Sequence, residues 1–419
     1  MPLLSAADID SAAKRIAPVV TPTPLQLSDR LSAVTGAQVY LKREDLQVVR
    51  SYKLRGAYNL LVQLSEDELS AGVVCSSAGN HAQGFAFACR TLGVHGRVYV
   101  PAKTPKQKRD RIRYHGGDFI ELIVGGTTYD LAAEAALADV ERTGATLVPP
   151  YDDLRTIAGQ GTIAVELLDQ LDDEPDLVVV PVGGGGCIAG ITTYLAERTT
   201  NTSVLGIEPA GAAAMMAALA AGEPVTLEHV DQFVDGAAVR QAGTLTYAAL
   251  AAAGDMVSIT GVDEGAVCTA MLDLYQNEGI IAEPAGALSV AGLLESDIEP
   301  GSTVVCLISG GNNDVSRYGE VLERSLVHLG LKHYFLVDFP QEPGALRRFL
   351  DEVLGPTDDI TLFEYLKRNN RETGEALVGI ELGSSADLDG LLARMRATDL
   401  HVEPLEPGSP AYRYLLFQS

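Results

Sequence analysis

Tryptophan is absent from the 419 residues, cysteine occurs five times, and basic side chains are outnumbered by acidic ones. Cys75, Cys89, Cys187, Cys268 and Cys306 are odd in number, scattered and never spaced C-x-x-C, which excludes a disulfide framework and reads as reduced thiols. Against 56 Asp and Glu there are only 31 Lys and Arg, a formal net charge of −25 spread along the chain without an acidic or basic tail. DNA or RNA would be repelled, so nucleic acid is excluded as a partner. No uncharged apolar run approaches the roughly 18 residues that a membrane helix needs. The N-terminus also lacks a charged leader followed by a long apolar core, so a cytoplasmic protein with no membrane partner is expected.

What is present is ordinary for a folded chain: 47% hydrophobic and 21% charged residues, which excludes disorder as the main theme. At about 100 to 200 residues per domain, two to three domains are expected, each able to bury a core. Apolar runs bounded by Gly and Pro alternate with Ala-rich helical patterns, the pattern of a parallel sheet covered by helices. Strands are expected at 37–42, 73–76, 97–100, 118–122, 177–182, 204–208 and 303–308, with helices at 54–64, 82–92, 128–143 and 189–197. This predicts a doubly wound α/β core. The basic stretch 106–113 reads as a solvated helix face. Near residue 330 the pattern changes to strand 334–339, helix 343–354 with Pro343 near its start, strand 360–366, turn 369–374, strand 376–382 and helix 386–395. That is the ferredoxin-like β-α-β-β-α order, α+β in class, reached through a helical linker at 321–332. The expected domains are 1–325 and 331–419.

Four segments are too specialised for a scaffold. In Ser51-Tyr52-Lys53-Leu54-Arg55-Gly56, a lysine starts an apolar helix. Partial desolvation there lowers an amine's pKa and makes it nucleophilic, although most lysines are merely solvated. Ser76-Ser77-Ala78-Gly79-Asn80-His81-Ala82-Gln83-Gly84 follows a strand and opens a helix, where small residues let a carboxylate or ring oxygen reach backbone amides. His81 is ambiguous between cap and catalyst. Gly183-Gly184-Gly185-Gly186-Cys187 forms a backbone donor cup suited to phosphate. Ser309-Gly310-Gly311-Asn312-Asn313 puts a serine at a strand's carboxyl end, the edge where open α/β sheets bind ligands. Gly184 to Ala189 also satisfies G-x-G-x-x-A with Glu208 about 20 residues on, so a nicotinamide-dependent oxidoreductase stands beside the phosphate reading. A Walker loop is excluded, because no Lys-Ser or Lys-Thr follows the glycines.

Together these segments resemble the pyridoxal-phosphate enzymes of fold type II, the tryptophan synthase β-like fold, and among them the biosynthetic threonine dehydratases. The resemblance covers about residues 1–325. It extends to Thr21-Pro22-Thr23-Pro24-Leu25, Leu41-Lys42-Arg43-Glu44-Asp45-Leu46-Gln47, Gly159-Gln160-Gly161-Thr162 and Ala282-Glu283-Pro284-Ala285-Gly286. It implies a core of two α/β subdomains binding pyridoxal 5'-phosphate, with Lys53 as Schiff-base lysine and Cα base. Asn80 would meet the ring hydroxyl, Gly183, Gly184, Gly185, Gly186 and Cys187 the phosphate, and Ser309 the pyridine nitrogen. Ser77, Ala78, Gly79 and His81 would form the loop that clasps the substrate carboxylate. A serine at the ring nitrogen does not keep it protonated, which favours prompt loss of a β leaving group over a long-lived carbanion. Threonine would lose its Cα proton and then its β-hydroxyl, protonated by the cofactor phosphate, to give 2-oxobutanoate and ammonia.

Two departures qualify the resemblance. Racemising relatives carry Ser where Ala78 stands, so racemisation is not expected; they also carry a metal-binding Asp where Ala214 aligns, although Glu208 is kept, so no divalent metal is expected, while a monovalent ion stays open. The segments 339–346 and 359–367 resemble the ACT-like regulatory domain of biosynthetic threonine dehydratases. This implies isoleucine and valine as effectors and a homotetramer. Serine dehydratase and threonine synthase share the fold, but the regulatory tail argues against them. A catalytically silent amino-acid-binding protein would need neither Lys53 nor the phosphate cup.

Overall fold

The computed structural model describes residues 4–365, 372–406 and 409–412. Its contacts divide the chain into two units, after Asn313.

In the first unit, apolar runs too short for helices become strands buried on both faces. Val179, Val180, Val304, Val305 and Ile308 are all fully covered, and burying a Val or Ile side chain stabilises by about 1.5–3 kcal/mol. Six strands form one sheet in the order Leu25–Leu27, Gln38–Arg43, Thr303–Ile308, Leu177–Pro181, Ser203–Pro209, Val257–Val262, parallel except for the first pair. A second, all-parallel sheet runs Ile120–Val124, Gly96–Val100, Val73–Ser76, Thr146–Leu147. The parallel sheet read from periodicity is thus divided into two sheets.

Each expected strand of this unit has a counterpart, and three more were not read. Leu25–Leu27 and Thr146–Leu147 are three and two residues long, too short for a periodic signal, and Val257–Val262 carries a glycine at a half-exposed sheet edge. The strand expected from 118 begins at Ile120, because Gly117–Phe119 makes a tight turn first. The helices start slightly earlier than their apolar periodicity suggests. They run Lys53–Leu61, Asn80–Leu92 and Gly186–Arg198, which places Lys53 and Asn80 in first turns. The basic stretch lies in helix Lys106–Gly116, where Lys106 and Arg113 pair with Asp110 on a solvated face.

The second unit is an antiparallel sheet ordered Asp359–Tyr365, Thr373–Glu381, Lys332–Pro340, His401–Pro404, with helices Ala345–Val353 and Leu388–Ala397. Phe339 meets Phe349 and Phe363 edge to face at 5.2 and 5.7 Å, geometry that aromatic quadrupoles favour. The expected β-α-β-β-α order is present. A last strand, His401–Pro404, was not read, its short exposed run ending in proline. The expected helix at 343 starts instead at Ala345, because Gly344 at φ +91 turns the chain between Pro343 and the helix. Of the expected turn, Thr373 and Gly374 already belong to a strand, while 369–371 lie outside the described residues, as does Leu366.

The division after Asn313 falls earlier than the boundary near 330 read from the sequence. Helix Tyr318–His328 counts with the second unit because its Glu323 pairs with Lys332 and accepts from the Tyr334 hydroxyl at 2.5 Å. The Leu331 amide also donates to the Leu326 carbonyl at 2.8 Å.

Candidate active site

The parallel strands end together, and the special segments begin there. Before Lys53 the chain passes Arg50 at φ +58, the left-handed region that side chains rarely adopt. That turn is laced to the serine segment, with the Gly311 amide donating to the Arg50 carbonyl at 2.9 Å and the Tyr52 amide to the Ser309 carbonyl at 3.2 Å. Lys53 then opens its helix with no side chain capping the start, and its Nζ donates to the Pro150 carbonyl at 3.0 Å. Burial lowers its pKa to about 8, against the opposing pull of Cys187 and Glu283. Near neutrality a useful fraction of the amine is therefore unprotonated.

Glycine brings the neighbouring helices onto this first turn. A Cβ on Gly84 would come within 2.9 Å of the Leu54 amide, and one on Gly159 within 2.6 Å of the Arg55 carbonyl. Asn80 starts the helix beside it. Its Oδ1 accepts from Asn312 Nδ2 at 2.8 Å while its Nδ2 donates to Glu283 at 2.5 Å. One hydrogen on Nδ2 is left over by these two contacts. At Gly79 nothing lies within 4 Å of where a Cβ would project, and the Gly79 amide donates to Ser77 Oγ at 3.2 Å. First-turn amides with no intrahelical partner, next to open space, suit a carboxylate. Ala78 lies in this loop.

His81 is buried, with Nε2 2.8 Å from the Val148 carbonyl. Burial, then the neighbouring Lys53 charge, drive its pKa down to about 3. The ring is thereby held neutral, with Nε2 engaged by the backbone and the buried Nδ1 without a hydrogen-bond partner. Cys187 is likewise no nucleophile, since burial pushes its thiol up to about 12.

The four glycines are required by packing as well as by any ligand. A Cβ on Gly183 would come within 3.0 Å of Ala237, on Gly184 within 2.4 Å of the Tyr151 ring, on Gly185 within 2.4 Å of Met215, and on Gly186 within 2.9 Å of Tyr151. Gly185 adopts φ +90, and Thr246 Oγ1 holds the Gly184 carbonyl at 2.7 Å. The loop runs directly into helix Gly186–Arg198, whose first amides lack intrahelical partners. Ser309 stands just beyond strand Thr303–Ile308, buried, its Oγ donating to the Ala285 carbonyl at 3.2 Å.

Three features were not found from sequence. Glu283, with its pKa raised to about 7 chiefly by burial, touches Asn80, and Asn312 touches it from the other side. Both fall inside quoted motifs, which was the available signal. The third is the strap Val148–Asp153: Val148 holds His81, Pro150 holds Lys53, and the Tyr151 ring lies against Gly184. Because two of those contacts use backbone carbonyls, no residue type could have announced them. The strap also places the lysine amine within one residue step of the glycine cup.

Glu208 is engaged by the backbone of the next helix. Its two oxygens accept from the Met215 and Met216 amides, each at 2.8 Å, at the start of helix Ala214–Ala221. Among the described residues no group of three or more His, Cys, Asp or Glu could hold a metal ion, and no helix is long and apolar enough to cross a membrane. A depressed amine, a cup of backbone amides, an oriented carboxamide and a serine hydroxyl form a donor set that fits pyridoxal phosphate.

Comparison with known proteins agrees with this chemistry. Residues 16–310 match the pyridoxal-phosphate dependent enzyme family, and residues 323–415 match the C-terminal regulatory domain of threonine dehydratase. The biosynthetic L-threonine dehydratase of Mycobacterium tuberculosis is 92% identical over 413 residues, 99% of this chain and 96% of that protein. The processed form of threonine deaminase isoform 2 from Solanum lycopersicum superposes with a TM-score of 0.71 at 38% identity, covering 76% of this chain and 92% of that one. A serine racemase from maize superposes with a TM-score of 0.70 at 31% identity, covering 78% of this chain and 98% of that one.

Proposed function

The chain belongs to the pyridoxal-phosphate-dependent enzymes, in their biosynthetic threonine dehydratase branch, and from that premise we propose that it converts L-threonine to 2-oxobutanoate and ammonia as the first committed step towards isoleucine. The observation that carries this reading is Lys53: an amine depressed to about 8 at a helix start, tied by one short strap to the glycine cup. Pyridoxal phosphate, when bound, supplies an aldehyde for the amine to condense with and a ring that delocalises the electron pair left at Cα.

The rest is done by this chain's own groups. The amides of Gly183 to Cys187 would hold the phosphate, and the spare hydrogen on Asn80 Nδ2 would be donated to the ring oxygen. Ser309 Oγ, which now donates to the Ala285 carbonyl, would meet the ring nitrogen; a serine hydroxyl is too weak an acid to leave a proton there, which would favour prompt loss of the leaving group. The amides after Ser77 and Gly79 orient the substrate carboxylate. Lys53 Nζ, once free, takes the Cα proton, with the Pro150 carbonyl fixing its position. Ala78 offers no hydroxyl to return a proton from the opposite face, so elimination is not accompanied by racemisation.

Residues 1–325 are the part that does this chemistry, and 331–419 are a regulatory domain that binds isoleucine as inhibitor, with valine opposing it. The enzyme works as a homotetramer in the cytoplasm. The purified protein should show a visible absorption band bleached by borohydride, with the label mapping to the Lys53 peptide. A label on another lysine, or no band in cofactor-replete protein, overturns the reading.

A further inference from the structure

Behind Lys53 lies a group of ions that the chemistry above does not use. Arg55, two residues along the same helix, is fully buried, as are Lys42 and Glu44. Arg55 donates to Glu44 through Nε at 2.8 Å and a terminal nitrogen at 2.7 Å, and through its other nitrogen to Glu166 at 2.7 Å and Thr162 at 3.0 Å. Lys42 reaches the same Glu166 at 2.7 Å, the Thr23 carbonyl at 2.7 Å and Gln170 at 2.9 Å. Thr23 Oγ1 closes the ring by donating to Glu44 at 2.6 Å. Two cations face two carboxylates, and the group as a whole carries no net charge.

Such a group costs desolvation, and apolar residues of the same volume would stabilise the fold at least as well. Its placement suggests what it does. The first turn of the Lys53 helix has no capping side chain. It is gripped instead through Gly84 at Leu54, through Gly159 at Arg55, and through the Arg55 side chain in the ion group. The Cys187 thiol, beside Lys53, feels both Glu44 and Arg55, with opposite signs.

We propose that Arg55, with Glu44, Glu166 and Lys42 around it, is a positioning residue for Lys53: it locks the first turn of the lysine's helix and keeps the interior behind the amine free of net charge. This rests on the reading that Lys53 holds the cofactor. Other ionisable groups around the amine are Cys187, Glu283, His81 and Tyr52, and the variants below leave all four in place.

The test strips the full-length protein of cofactor and follows capture of added pyridoxal phosphate, by its visible absorption, against pH. Capture requires an unprotonated Lys53 amine, which condenses with the aldehyde and releases water. Arg55→Met leaves two carboxylates against one cation, so the midpoint should rise. Glu44→Gln leaves two cations against one carboxylate, so it should fall. A displacement of about half a pH unit each way corresponds to roughly a threefold change in capture rate at fixed pH below the midpoint. Arg55→Lys keeps the charge but not the fork, so it should keep the parent midpoint while kcat for threonine falls roughly tenfold at unchanged KM. If Arg55→Met does not fold, the other two variants carry the test.

Midpoints that stay at the parent value, or move in the same direction, together with an undiminished kcat in Arg55→Lys, would show that the ions serve only the fold. A parent protein that captures no cofactor would instead overturn the assignment of Lys53 itself.

Discussion

The interiors of the two units are built from different materials. Behind Lys53, the first unit buries Arg55, Lys42 and Glu44 and satisfies each with short hydrogen bonds. The second unit buries a cluster that includes Phe335, Val337, Phe339, Phe349, Val353, Val378, Ile380, Leu391 and Met395, and among its described residues Ser325 is the only polar one buried as a whole. An apolar core needs only shape and volume to be stable, whereas buried ions must each find a partner. The first unit thus carries polar groups at positions where stability alone would not place them. The second resembles an ordinary small domain.

The largest expected effect separates chemistry from folding in the first unit. Lys53→Ala should lower turnover by at least roughly 10²- to 10⁴-fold, the usual contribution of a positioned base, while circular dichroism and thermal unfolding stay near the parent. Residual turnover within tenfold of the parent would remove Lys53 from the mechanism.

The converse change strikes the apolar core. Phe349→Ala should destabilise the second unit by about 3–5 kcal/mol, read by denaturant unfolding, because its ring is buried and packed edge to face on Phe339. Lyase activity should persist under conditions where the isoleucine response is lost. Simultaneous loss of both would show that the two interiors do not act independently.

Ending the chain at Asn313 follows the observed division. The shortened enzyme should retain dehydratase activity and lose inhibition by isoleucine, a coupling of about 1–3 kcal/mol in threonine affinity. Full inhibition of the shortened chain would place the effector site in the first unit.

A pH-dependent effect concerns Glu283, whose pKa is raised from 4.5 to about 7 by burial. The folded state binds this proton more tightly than the unfolded chain does. Ionisation therefore costs nothing below about 4.5, and the cost grows as pH rises to about 7 and stays constant above it. Glu283→Gln should stabilise the protein above pH 7 relative to the parent and converge with it on acidification. A difference in stability that does not change between these limits would show that Glu283 does not titrate there.

Much of this was legible from the chain alone. Alternation of Val- and Ile-rich runs with Ala-rich stretches dictated a parallel α/β unit, and the change of pattern near 330 dictated the β-α-β-β-α module, because hydrophobic periodicity is a local property. Lys53, Asn80, the four glycines and Ser309 could be singled out because each stands at a strand or helix end, where ligands meet backbone. Tertiary structure alone decided the rest. The Pro150 carbonyl on Lys53 and the Val148 carbonyl on His81 lie 97 and 67 residues from their partners, and a backbone oxygen has no letter in a sequence. Glu208, which completes a dinucleotide-type fingerprint in the sequence, accepts from two amides of the next helix. Arg55, to which the sequence assigns no role of its own, becomes the centre of a buried neutral group only when residues 42, 44 and 166 converge on it. Periodicity records which face of an element is buried; charge compensation depends on which other elements arrive at that face, and only the folded chain settles that.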